Sequence, residues 1–302
     1  MKALRNISPG LLDNREKFTD DFFKRFSLRE ALTPLKLTGS ISKNYLFPTF
    51  YGDVTCALGI FLCSYAKAEK LVAENLHPKI KPVRMTKGRS LIAFSCYEYK
   101  NVMGVAPYNE IAMAIPVMVN AKFSPPLLPM IMSSFKHFGY YVAGMPVTSY
   151  ENQLRGNKIW GLPKLTHDID IRKEGNDCVT TACEENGKAY FTLRVPMDGT
   201  PQNFDVTSNL YSRLDGKVLQ SETNFKAEFR VKKYMDQLLK KGVKPDRNYI
   251  EIGDSPSAKF MRDLEIEENP FQFRYAEHMS SCFDLPKVNT PAWLNEINKS
   301  SR

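Results

Sequence analysis

"CVTTACEENGKAYFTLRVP" (residues 178–196) is two strand-like runs separated by Asn186-Gly187. Asn-Gly between such runs is the strongest short hairpin signal, because both residues tolerate the positive φ that a two-residue turn demands. "YSRLDGKVLQS" repeats the device at Asp215-Gly216. Just beyond it, "NFKAEFRV" sets Phe225, Ala227, Phe229 and Val231 against Lys226, Glu228 and Arg230, a strand with one buried and one wet face. The second half of the chain therefore reads as antiparallel β.

From Tyr45 the first half reads the same way, with helical excursions. "LGIFLCSY" is an apolar strand, and "AKAEKLVAENL" after it is a helix carrying Leu71, Val72 and Leu76. "SLIAFSCYEY" and "NEIAMAIPVMV" are further strands, and Glu110 stands at the head of the second. No composition break and no internal repeat divides the halves. The expected fold is mainly β (α+β): a large antiparallel sheet closed, or nearly closed, into a barrel with a cavity and peripheral helices. Ahead of it, Phe18, Phe22 and Phe26 recur every fourth residue in "DNREKFTDDFFKRFSLREAL", which predicts an amphipathic helix over 13–32.

Residues 120–147 are apolar but interrupted by prolines, Lys136 and His137, which argues against a transmembrane helix and for a pocket cover or a subunit contact. The formal charge of +9 on 302 residues is scattered singly and in pairs, with no zinc-finger spacing or long basic tract, so no nucleic-acid partner is expected. The six cysteines include no C-x-x-C pair and the four histidines lie far apart, so no metal or other cofactor is expected. The thiols read as buried and reduced, and the N-terminus lacks a secretory apolar run; the expected location is cytoplasmic.

One lysine invites a chemical reading. In "NKIWGLPKL" (residues 157–165), Pro163 stiffens the backbone immediately before Lys164, and Gly156 and Gly161 bracket the turn. A lysine amine at its ordinary pKa is almost wholly protonated at neutral pH; desolvation among Trp160, Leu162 and Leu165 would free its lone pair. The alternative is a solvated lysine following a turn.

This stretch resembles the signature of the acetoacetate decarboxylase family: a glycine, a short spacer and Gly-x-Pro-Lys, here Gly156 and Gly161-Leu162-Pro163-Lys164. "GVAPYNEIAMAIPV" is similar to the family's preceding element, with Tyr108, Glu110 and Ile115-Pro116-Val117, and "EHMSSCFDLP" to its last strand. The resemblance spans roughly residues 45–287, leaving 1–44 as an N-terminal helical extension and 288–302 as a tail. It implies a cone-like closed barrel, assembly into homo-oligomers, and a Schiff base formed by Lys164 with a small-molecule keto acid. The expected function is decarboxylation of acetoacetate or a bulkier β-keto acid by a carbon–carbon lyase. Aldol-type or dehydratase chemistry on a keto compound without loss of carbon dioxide, and non-catalytic binding of an apolar ligand, are the alternatives.

Departures from the family pattern fall on carboxylate handling. Leu165 replaces the family's second lysine, Ser95 stands where an acid is usual with Glu98 three residues on, and no arginine lies between Tyr51 and Cys63. Glu110 is the candidate acid that positions the iminium or shuttles a proton. Arg155, just before Gly156, either clamps a substrate carboxylate or sits in a wet turn; Arg194 in "FTLRVP" is the other candidate anion partner. Tyr108, Trp160 and Leu165 complete the expected substrate-binding set. His167 and Asp168 are expected to face water rather than act as a catalytic pair, because adjacent strand residues point to opposite faces.

Overall fold

Seven long strands close on themselves. The computed structural model describes residues 1–119, 125–132, 135, 137–240, 242–287 and 292–299. In chain order these include β1 (Thr49–Ser64), α1 (Tyr65–Asn75), β2 (Ile80–Pro82), β3 (Arg89–Val102), β4 (Tyr108–Val119), β5 (Phe138–Val147), α2 (Tyr150–Trp160) and β6 (Lys164–Thr166). There follow β7 (Asp168–Glu174), β8 (Asp177–Cys183), β9 (Ala189–Pro196), β10 (Thr200–Leu214), β11 (Lys217–Lys233), β12 (Ile250–Ile252), α3 (Lys259–Asp263), β13 (Pro270–Phe283) and α4 (Ala292–Lys299). The barrel order is β5-β10-β11-β13-β1-β3-β4, closed by pairing of β4 with β5. Every barrel pairing is antiparallel except β5 with β10, which is parallel at Tyr140 and Tyr141.

Both glycine turns form hairpins. Asp215 and Gly216 take φ of 49° and 75° between β10 and β11, the left-handed pair that matches the twist of the flanking strands. Asn186-Gly187 joins β8 to β9 in a second sheet of order β7-β8-β9-β12.

Alternation assigns each barrel residue a side. Phe61, Phe94, Ile111, Met113, Phe273 and Tyr275 pack outward against Phe191 and Leu193 of the second sheet and Val72 of α1. Cys56, Tyr99, Tyr108, Ala112, Phe229, Val231 and Ala276 form the inward set. Ile60, Leu62, Leu91, Ala93 and Phe271 plug one end of the bore, backed by Met85, Leu127 and Met130. Helix α2 packs at the other end, where Trp160 lies against Phe47 and Phe283.

The predicted N-terminal helix does not form. Residues 15–17 and 23–25 are single 3-10 turns, and Phe18, Phe22 and Phe23 bury together against Phe50, Met103 and Cys282. Asp20 Oδ1 accepts from the Phe22 amide at 2.7 Å, a local turn that competes with helix, and packing on the barrel outweighs the four-residue periodicity. The C-terminal segment also differs from a tail: α4 buries Leu294 and Ile297 in the outer core, and the Trp293 ring lies tilted against His137, centroids 4.7 Å apart. Of residues 120–147, 138–147 form β5, Leu128–Ile131 make a helical turn, and 120–124, 133, 134 and Lys136 lie outside the described residues. Among the described residues no helix is long and apolar enough to cross a membrane.

Candidate active site

Helix α2 and strand β6 build the mount of Lys164. Ser149 caps the helix by accepting from the Asn152 amide at 3.3 Å. Gly161 ends it with φ 61°, its amide reaching back to the Asn157 carbonyl at 3.2 Å, the single bond of a left-handed helix cap. A Cβ on Gly161 would lie 2.7 Å from the Arg213 carbonyl carbon, so glycine is required by both conformation and close approach. Around Pro163 the Lys164 amide bonds the Leu162 carbonyl at 2.8 Å. The chain then enters β6, which pairs in parallel with the end of β5: Lys164 opposite Met145, Thr166 opposite Val147.

Strand parity sends Lys164 and Thr166 inward and Leu165 outward, and Leu165 is 55% exposed. The expectation that Leu165 dries the amine and lines the substrate pocket is therefore corrected. Dryness comes from elsewhere. Lys164 is 6% exposed, its Nζ lies 5.8 Å from the centroid of the Tyr108 ring, and its stem occupies the space that Gly156 leaves open, where a Cβ would sit 2.7 Å from Lys164 Cε.

Glu110, 2% exposed, meets this amine: Lys164 Nζ donates to Glu110 Oε2, and Tyr99 Oη donates to Glu110 Oε1 at 3.1 Å. Burial pushes the Lys164 amine below its ordinary pKa; the bond and charge of Glu110 pull it back up, and the nearby Arg155 guanidinium pushes it down again, with a net lowering. Tyr51, Tyr99 and Tyr108 are held protonated, chiefly by burial; Tyr51 is pushed up to about 12.

Arg155 is buried, not in a wet turn. Its Nη1 donates to Asn152 Oδ1 and its Nη2 to Thr49 Oγ1, both at 2.9 Å, and its guanidinium lies 4.3 Å over the Tyr45 ring. Nε is buried with no partner among the described residues, and no carboxylate forms an ion pair with this cation there. A neighbouring pair balances itself: Glu151 Oε1 accepts from Lys43 Nζ at 2.8 Å and from Tyr45 Oη at 2.6 Å. Beside this balanced pair, Arg155 is a buried cation held by neutral partners among the described residues.

Two other expected site residues lie elsewhere. Arg194 does not point into the barrel; it bonds Glu251 on the neighbouring β12 at 2.7 Å, its side chain 31% exposed. Trp160 donates through Nε1 to the Asp284 carbonyl at 2.8 Å and stacks on Phe283, so it anchors the helix end. Glu98 bonds Thr55 at 3.0 Å on the outward face and leaves the inward places to Ser95 and Tyr97. His167 bonds the Tyr190 hydroxyl at 2.9 Å, and Asp168 accepts from the Ala3 amide at 2.7 Å, apart from each other. The sequence reading missed Tyr99, Tyr45, Glu151 and Lys43; the Tyr-x-Tyr spacing of Tyr97 and Tyr99 is a signal that both share one strand face.

The model of the acetoacetate decarboxylase (ADC) family matches residues 32–243. The chain belongs to the acetoacetate decarboxylase family. No curated protein matches the sequence. Among solved structures, acetoacetate decarboxylase from Legionella pneumophila is similar in fold: TM-score 0.53 at 11% identity, covering 80% of this chain and 87% of that one. A second acetoacetate decarboxylase structure gives 0.51 at 15% identity, covering 79% and 87%. The enduracididine biosynthesis enzyme MppR, complexed with the condensation product of pyruvate and imidazole 4-carboxaldehyde, gives 0.53 at 9% identity, covering 84% and 97%.

Proposed function

We propose that this protein is a Schiff-base lyase that decarboxylates a β-keto acid, acetoacetate or a bulkier analogue. The observation that carries the reading is the buried Lys164 amine, lowered in pKa and bonded to Glu110. Neutral Lys164 Nζ attacks the ketone carbon, Glu110 takes the proton the amine sheds and passes it to the carbinolamine oxygen, and with one further proton taken from solvent that oxygen leaves as water to give the iminium. Arg155 receives the substrate carboxylate. The C–C bond electrons then flow into the iminium as carbon dioxide departs, leaving a neutral enamine; a solvent proton relayed through Glu110 or a neighbouring tyrosine adds to carbon, and water hydrolyses the resulting iminium to ketone product, a proton and the neutral Lys164 amine.

Charge bookkeeping supports this sequence. With a neutral amine, Lys43 and Arg155 balance Glu110 and Glu151, four buried groups at one end of the barrel. Iminium and carboxylate then appear and vanish together, so the low-dielectric site holds no net charge before or after the step.

Incubation with acetoacetate followed by borohydride reduction should add the substrate mass to Lys164, with carbon dioxide released when reductant is omitted. An adduct without carbon dioxide would favour a second reading, condensation or dehydration through the same iminium. The condensation product described for MppR supports that alternative. No adduct with any carbonyl compound would leave a binding protein. Assembly into homo-oligomers is part of the proposal and is tested by light scattering.

A further inference from the structure

A second cation lines the bore without an acid to match it. Arg274 on β13 pairs with Leu58 on β1 and Val231 on β11, both packed on the inward cluster, so parity turns its side chain inward too. Its Nε and Nη2 donate to Gln272 Oε1 at 3.1 and 2.9 Å, and its guanidinium lies 4.7 Å over the Phe204 ring. Neither partner carries charge. Among the described residues no carboxylate pairs with Arg274, and Nη1 makes no hydrogen bond yet is not sealed from solvent. Around it Tyr140, Phe204, Val206, Phe225 and Ala227 are only half-buried, unlike the fully packed outer face.

Register relates this cation to the reacting lysine. Glu110 lies opposite Tyr97, Tyr97 opposite Cys56, and Cys56 opposite Ala276, so these four lie on one line of inward residues running across the strands. Arg274 is two residues along β13 from that line, one inward step or roughly 7 Å along the strand in the direction of the plug residue Phe271. It is also three strand spacings of about 4.8 Å around the wall, which in a small barrel is nearly the opposite side. Arg274 thus faces the same interior as Lys164 from another part of the wall.

We propose that Arg274 binds a carboxylate remote from the reacting carbonyl, so that the substrate is a keto diacid rather than a simple keto monoacid. This rests on the Lys164 Schiff-base reading for the position of the carbonyl, and deepens it. Gln272 and Phe204 fix the fork in place, and Nη1 is left to receive the anion; a guanidinium held by neutral groups in a half-buried bore gains most from an anionic partner.

The test has two arms. In the first, adipate, which has no carbonyl, should raise the melting temperature of the protein and of Lys164→Met, hexanoate should do so less, and Arg274→Met should abolish the difference. In the second, borohydride trapping with 3-oxoadipate should reach half-labelling at a concentration at least about tenfold lower than with acetoacetate. Arg274→Met should erase that preference while leaving acetoacetate labelling unchanged, and Arg274→Lys should restore part of it. Equal labelling by both acids, or an equal loss for both in the Arg274→Met and Arg274→Lys variants, would overturn the proposal. Adipate stabilisation that depends on Arg274, with no adduct from any carbonyl compound, would uphold the anion site and sink the Schiff base instead.

Discussion

Lys164 and Glu110 lie on strands that do not pair with each other, and both flank the end of β5: Lys164 opposite Met145, Glu110 opposite Val147. Their hydrogen bond therefore spans β5 on the inward side. The pair is held by three strands and a helix end, and the amine has little freedom to swing into water.

That geometry fixes a pH dependence. The amine's folded pKa lies below its ordinary value, so iminium trapping should rise with pH and level off at an inflection below that of a free lysine. Removing the Arg155 cation with Arg155→Met should move the inflection upward, because Arg155 disfavours the ammonium. A rate profile of trapping against pH measures both.

Leu165→Lys gives the sharpest discrimination. A cation at this outward, 55% exposed position is screened by water, so the inflection should not move. If it fell, the side chain would have to reach the interior, against the parity of β6.

Glu110→Gln separates two roles. Loss of the carboxylate should lower the amine's pKa further, because Glu110 favours the charged form, and trapping at neutral pH should persist or quicken. Turnover should nonetheless drop by about 10²- to 10⁴-fold, the usual contribution of a positioned proton carrier. Single-turnover trapping compared with steady-state carbon dioxide release reads the split.

The two glycines predict different failures. Gly161→Ala forces a side chain into left-handed backbone beside Arg213 and should cost at least about 2 kcal/mol, seen as a lower melting temperature. Gly156→Ala sits inside a regular helix and should spare the fold, yet it fills the space of the Lys164 stem and should suppress trapping.

The lysine, its Gly-x-Pro mount and Glu110 are legible in the sequence because each belongs to a contiguous motif whose backbone constraint is local. Hairpins at Asn186-Gly187 and Asp215-Gly216 are legible for the same reason. Leu165 misleads because neighbours in a chain are not neighbours in space once a strand begins at Lys164. Arg155 and Arg194 exchange their expected surroundings: the first turns into the protein on a helix whose buried face depends on Thr49 and Tyr45, more than a hundred residues away. The second sits among apolar residues yet finds Glu251 across a strand pair that no local pattern announces. The phenylalanines near the N-terminus carry a helical period, but their burial is set by Phe50 and Cys282, which periodicity does not see.

The Lys43–Glu151 pair limits how the chain can be divided. Cutting at residue 45, where barrel-forming sequence begins, would keep Glu151 on its helix and discard its counter-cation. The stranded carboxylate would then compete with any substrate anion for Arg155, through the shared Tyr45. The smallest autonomous unit that keeps this site's electrical character has to start upstream of Lys43, and a fragment trimmed to the barrel should be folded yet blind to its ligand.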